Sequence, residues 1–107
     1  MEETGQSPIV GGDLDAAFTA LAEELRRRLL VSLLDRDRCR LASFVEDVGA
    51  SDSDAEDLRT VMYHVHLPKL EQHGYVRWDR DRGRIERGPA FGEVRPLLKW
   101  VRDSRRE

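Results

Sequence analysis

A mostly α-helical fold carrying one small β-hairpin is what these 107 residues predict. Three observations lead there. Apolar residues recur at helical spacing in five stretches, one alternating stretch returns on itself across a Gly-containing turn, and glycines stand where two of the helices should stop. The length suits a single domain with one modest core, expected over residues 13–104.

The elements follow in order. The first twelve residues hold Gly, Ser, Pro and few large apolar side chains, and read as a disordered arm. A first helix runs from Asp13, the expected cap, to Leu21, with Leu14, Phe18 and Leu21 on one face. A second spans residues 23–34. Its buried stripe is Leu25, Leu29 and Leu33, widened by Leu30 and Leu34, while Arg26, Arg27 and Arg28 read as a solvated face. Residues 36–40 have room for one minimal strand. A third helix fits residues 41–48, with Leu41, Phe44, Val45 and Val48 apolar, and Gly49 stops it. After a polar loop, Ser53 or Asp54 can cap a long fourth helix that runs to His73 and ends at Gly74. Tyr75 to Trp78 then alternates, residues 79–83 supply a turn and residues 84–86 return, which directs Val76, Trp78 and Ile85 to the core. The last helix covers residues 90–103 with Phe91, Val94, Leu98 and Val101 on one stripe. Leu97 and Trp100 broaden that stripe beyond what one core requires.

Helix, helix, short strand, helix, helix, hairpin, helix is the order of a winged helix-turn-helix. The third and fourth helices form the helix-turn-helix and the hairpin forms the wing. Within this order, the segment TVMYHVHLPKLEQHGYVRWDRDRGRI resembles the recognition-helix-plus-wing core of ArsR-like regulators. The resemblance is strongest to a haloarchaeal group of small winged-helix domains, in which a His-Val-His-Leu-Pro-Lys-Leu run precedes a Gly and a two-stranded wing. Here that run is His64 to Leu70, with Gly74 after it, and the upstream LAEELRRRLLVSLLDRDR resembles the second helix of the group. The similarity extends from about Leu14 to Trp100. It implies a DNA-binding type of fold. ArsR-like relatives pair through their first and last helices, so it also implies a homodimer interface at Phe18, Leu97 and Trp100. Metal-sensing relatives use clusters of Cys or His, whereas this chain has one Cys and three scattered His. Metal sensing is therefore not carried over, and no metal or other cofactor is expected.

Composition bounds the function. Charged residues at 36% and hydrophobic ones at 39% suit a compact fold with a heavily charged surface. No stretch approaches the ~20 apolar residues of a membrane span, and the first residues lack the basic-then-apolar order of a signal peptide. The expected compartment is the cytoplasm, with no membrane partner. Arginine supplies 16 of the 18 basic residues, a Lys-poor balance expected of a salt-adapted organism or of GC-rich coding. The single cysteine, Cys39, allows no intrachain disulfide and no CxxC site, and reads as a small buried hydrophobe. There is no GxxxxGK[ST], GxSxG or HExxH, and nothing gathers two carboxylates in an apolar pocket, so no enzyme is expected.

On a helical wheel the fourth helix places Leu58, Met62, Tyr63, Val65, His66 and Leu70 on one broad arc. Thr60, His64 and Glu71 fall opposite, with Val61 at the edge. Thr60 and His64, together with Arg59 of the same helix, are the residues expected to meet the major groove. His66 reads as a hydrogen-bonded core histidine. It diverges from His64 by about 200° and lies about 10 Å along the axis from His73, so neither pair can share a metal. Pro68 should kink the helix by removing the bond to the His64 carbonyl. The hairpin carries Arg77, Arg80, Arg82, Arg84 and Arg87 against Asp79, Asp81 and Glu86. The first four arginines could contact phosphates or a narrow minor groove; alternatively the hairpin neutralises itself through Arg–Asp pairs.

Two features oppose nucleic acid. The net charge is −3, and residues 46–57 hold six acidic side chains and no basic one. Acid there suits the helix macrodipole but repels phosphates. Two readings stand: a DNA-binding transcriptional regulator, acting as a homodimer on adjacent half-sites of double-stranded DNA, and a winged-helix module that binds protein through an acidic helix-turn-helix face.

Overall fold

The computed structural model describes residues 12–49 and 51–104. The arm expected over residues 1–12 lies outside them except for Gly12, which already belongs to helix α1 (Gly12–Leu21). Asp13 is thus inside the helix rather than its cap. The buried face of α1 is made by Ala17 and Ala20, and Phe18, expected on the core stripe, is 56% exposed. Small side chains let α1 approach α2 (Glu24–Asp35) closely, which leaves the bulkier Phe18 on the outside. Helix α2 supplies the centre of the core through Leu29, Leu30 and Leu33, with Leu25 and Leu34 half-buried against it.

Of the three consecutive arginines on α2, only Arg28 behaves as a surface residue, 3.7 Å from Glu24. Arg26 is buried, and its Nε and Nη2 donate to the carbonyls of Ala20 (3.1 Å) and Thr19 (2.9 Å). Arg27 donates to Leu21 at 2.7 Å and to Ala22 at 3.3 Å. The last carbonyls of a helix lack intrahelical donors, so these two guanidiniums close the end of α1. The solvated arginine face expected from sequence is replaced by a helix-capping one.

Strand β1 (Arg38–Arg40) leads directly into α3 (Leu41–Val48), which buries Leu41, Phe44 and Val45. Gly49 ends α3 at φ +81°, its N–H donating to Glu46. The next helix, α4, is continuous from Asp52 to Gln72 and has three parts: α-helical Asp52–Val61, π-helical Met62–His66 and α-helical Leu67–Gln72. Its cap is Ser51, two residues before Ser53, the earlier of the two expected positions, and the Ser51 hydroxyl accepts from Asp54 N–H at 3.3 Å.

The π segment corrects two expectations. An α-helical Pro68 would crowd the His64 carbonyl and give it no donor. The helix meets this by widening in front of Pro68, where Leu67 N–H reaches back five residues to Met62. Pro68 thus follows a widened turn rather than sitting in a regular α-helix. The extra residue in the turn also changes which side chains face inward. Met62, His66, Leu67 and Leu70 are buried, whereas Tyr63 and Val65, assigned to the core arc on a regular wheel, are 39% and 51% exposed. Helix α4 ends in a Schellman motif: Gly74 at φ +81° donates to Glu71, and Tyr75 N–H donates to Leu70.

Strands β2 (Val76–Asp79) and β3 (Arg84–Arg87) form the hairpin, and β1 joins the far side of β3, giving an antiparallel sheet of order β1-β3-β2. The cross-strand row Cys39, Ile85, Trp78 faces the helices, with Val76 beside it. Val76, Trp78 and Ile85 are buried as expected, and Cys39 is half-buried. Gly74 and Gly88 meet backbone to backbone: a Cβ on Gly88 would overlap the Gly74 carbonyl. This close approach seats the final helix, α5 (Phe91–Ser104), whose Phe91, Val94 and Leu98 complete the core. No described helix is long and apolar enough to cross a membrane.

Candidate nucleic-acid interface

The first ten residues of α4 bury nothing, and Ala55 and Leu58 alone are partly covered. This half of the helix stands out from the core because its sequence, DSDAEDLRTV, has too few apolar residues to be drawn in. Arg59, Thr60 and His64 are all exposed, Thr60 and His64 as their positions on the wheel implied. The Thr60 hydroxyl donates to the Glu56 carbonyl at 3.0 Å, so its methyl group is what the side chain offers outward. Val61 and Val65 share the exposed surface with them. Wheel geometry at a constant angle missed Val65; Pro68 was the signal, once read as a cause of widening rather than of bending.

The hairpin meets α4 through an aromatic and cationic contact that the sequence did not reveal. Tyr63 packs edge-on to Trp78 with ring centroids 4.8 Å apart. Arg80 lies over both rings, 4.6 Å from the Trp78 centroid and 5.8 Å from that of Tyr63. The Glu71 carboxylate accepts the Trp78 backbone N–H at 3.4 Å, a second tie between α4 and β2. Arg80 is therefore held at the junction of the helix and the hairpin tip.

The other hairpin arginines divide by partner. Arg82 bonds Asp79 in the turn, with 3.3 Å between guanidinium and carboxylate. Arg77 is exposed and Arg84 half-buried, and neither has an ion pair among the described residues. Arg87, grouped with them in the sequence, belongs to the interior instead. It donates to the carbonyls of Leu33 (2.7 Å) and Leu34 (3.0 Å), pairs with Asp37 at 3.2 Å, and closes the end of α2. Arg38 and Arg40 join the hairpin arginines through strand β1, since Arg40 is registered opposite Arg84. Nothing in the sequence marked them, because the pairing of a three-residue strand is a tertiary event.

Behind this surface, Arg26 Nη1 and His66 Nδ1 are 3.2 Å apart. A guanidinium can only donate, so His66 Nδ1 accepts and the ring is neutral with its proton on Nε2. Burial, and then the Arg26 charge, hold its pKa below the ordinary imidazole value. His66 is thus the hydrogen-bonded core histidine expected. His73 is shifted the same way, by burial and then by Lys69 and Arg26. Burial raises the Cys39 thiol pKa, which Arg36 only partly offsets, so it is a thiol rather than a thiolate near neutrality. Among the described residues no group of three or more His, Cys, Asp or Glu is gathered as for a metal ion.

The residues expected to pair two copies lie on the opposite elements. Phe18 on α1 and Trp100 on α5 are 56% and 69% exposed, and Leu97 is half-buried. Trp100 also borders a concavity of about 530 Å³ with Glu24, Arg27, Val101 and Ser104.

Comparison with curated proteins and with solved structures gives no match. A family model does match, over residues 18–86, from the middle of α1 through most of β3, and its description is Domain of unknown function (DUF7344). That span takes in α4, the hairpin tip and most of the core, and the chain belongs to the DUF7344 family.

Proposed function

We propose that this domain is an ArsR-like winged helix-turn-helix that binds double-stranded DNA as a cytoplasmic, non-enzymatic transcriptional regulator. One observation carries the reading. The exposed outer side of α4 lies beside a hairpin tip bearing arginines, and Arg80 bridges the two through Tyr63 and Trp78. A helix with an uncommitted outer face next to a cationic hairpin supplies base contacts and backbone contacts together. Arg59, Thr60 and His64 take the base edges, the Thr60 methyl being suited to a thymine methyl. Arg77, Arg80, Arg82 and Arg84 take phosphates or the minor groove; Arg82 exchanges Asp79 for a phosphate to do so.

Fluorescence anisotropy with promoter fragments across a salt series tests this. Replacing Arg80 and Arg82 with Ala is expected to weaken binding to all sequences and to flatten log K against log[salt] by about one unit per lost contact. His64→Ala is expected instead to cut discrimination between specific and random DNA by about 1 kcal/mol or more. A folded protein that binds no fragment at any salt concentration defeats the proposal.

The regulator acts as a homodimer through Phe18, Leu97 and Trp100, two of which are large, apolar and exposed. Sedimentation should give a dimer at micromolar concentration and a monomer for Trp100→Asp. A wild-type monomer removes this part of the reading.

A second reading is favoured by Asp52, Asp54, Glu56 and Asp57, all exposed and without ion pairs among the described residues. They would suit a basic protein surface. Capture of a basic protein partner that Asp54→Asn and Asp57→Asn abolish, alongside failure of DNA binding, would establish it.

A further inference from the structure

Directly paired residues on neighbouring strands put their side chains on the same face of a sheet. With Cys39, Ile85 and Trp78 turned to the helices, the flanking rows face away from the core. These rows are Arg40, Arg84, Asp79 and Arg38, Glu86, Arg77. Asp79 is already engaged, accepting the Arg82 backbone N–H at 3.2 Å and pairing with its guanidinium at 3.3 Å. Arg40 and Arg84 are left opposite one another with no ion pair among the described residues. An open cavity of about 340 Å³ lies here, lined by Arg38, Cys39, Arg40 and Arg84, with no acidic side chain in its wall. Like charges directly opposed weaken a sheet. Elsewhere in the domain Arg26, Arg27, Arg87 and Arg102 all have carbonyl or carboxylate acceptors. The cavity wall thus holds donors and no carboxylate; the nearest on this face by register is Glu86, opposite Arg38, while Arg40 and Arg84 face each other.

We infer that the cavity is an anion site for a phosphoryl group, gripped by the guanidinium forks of Arg40 and Arg84 with Arg38 beside them. A tetrahedral dianion offers each fork two oxygens and cancels the repulsion between them. Two sources share this chemistry, a backbone phosphate of DNA and a free phosphorylated small molecule. Only the first rests on the DNA-binding reading.

The test is titration of the ¹⁵N-labelled full chain with inorganic phosphate, matched for ionic strength with chloride, following arginine Nε–H resonances and the melting temperature. Saturable shifts at Arg38, Arg40 and Arg84 are expected, with a rise in melting temperature that chloride does not give. The double variant Arg40→Gln, Arg84→Gln removes the repulsion, so it should fold at least as well as the parent. It is expected to lose about tenfold or more in phosphate affinity. Phosphate responses equal to those with chloride, or unchanged in the double variant, overturn the site. Adding a DNA duplex separates the sources. Release of phosphate by the duplex, with a shallower salt dependence of DNA binding in the double variant, identifies a backbone phosphate. Phosphate that stays saturably bound, with the duplex alongside or with no duplex binding at all, identifies a free phosphorylated ligand. In that last case the anion site stands while the DNA-binding reading falls.

Discussion

The corner between α1 and α2 and the outer face of the sheet are both rich in arginine, and the same side chain does opposite work in the two places. At the corner, Arg26 and Arg27 spend their donors on four carbonyls at the end of α1, and Arg26 also reaches His66. On the sheet, Arg38, Arg40, Arg77 and Arg84 have no ion pair among the described residues. Whether an arginine is structural or available is set by what lies within its reach. A helix end within reach consumes it; a strand face at the edge of the domain does not. Net charge cannot express this difference, since it counts the corner arginines as if they were presented to a partner.

The sharpest way to break the comparison is to truncate one residue from each region. Arg26→Ala leaves the Ala20 and Thr19 carbonyls and His66 Nδ1 without their donor in a buried setting. It is expected to cost about 3 kcal/mol or more in denaturant unfolding. Arg77→Ala, the matched control on the sheet, should change stability by less than about 0.5 kcal/mol. Similar costs at the two sites would show that the corner arginine is not structural.

A smaller effect sharpens the same contrast through pH. His66 is neutral in the folded domain, and its pKa is held down there by burial and by Arg26. Below the ordinary imidazole value of about 6.5, the unfolded chain takes up a proton that the folded one does not. Its contribution is therefore fully present above that pH and is lost as pH falls toward the folded-state pKa, with a slope of at most about 1.4 kcal/mol per pH unit. His73, shifted in the same direction, adds to the decline. Melting temperatures between pH 8 and pH 5 should fall on the acid side, and less steeply for His66→Gln. Equal slopes for the two proteins would place the titrating group elsewhere.

The order of elements was legible in the sequence because it rests on local signals. Hydrophobic spacing placed α2, α3 and α5, Gly49 and Gly74 ended their helices, and alternation gave Val76, Trp78 and Ile85 their inward direction. The misreadings arose where a tertiary neighbour decided. Ala17 and Ala20, rather than Phe18, form the buried side of α1 because close approach to α2 favours small side chains. Arg26 could not be assigned to the interior without knowing that the end of α1 and His66 lie beside it. Of the candidate interface, the exposure of Thr60 and His64 followed from helical geometry, whereas Arg59 falls within the core arc of a regular wheel and is nonetheless exposed. The joint made by Tyr63, Trp78 and Arg80, and the entry of Arg38 and Arg40 through β1, depended on strand–helix and strand–strand placement that no local pattern encodes.

The widened turn at Met62–His66 has a consequence for how α4 is aimed. The part after it, Leu67–Gln72, is fixed by Leu67 and Leu70 in the core and by the Gly74 turn. The part before it carries Arg59 and Thr60 and has no buried anchor of its own. One additional residue in the intervening turn swings the azimuth of that free part by about 100° relative to an uninterrupted helix fixed at the same end. The direction in which the outer half faces is thus set by a single backbone residue of slack, while the anchored half need not move at all.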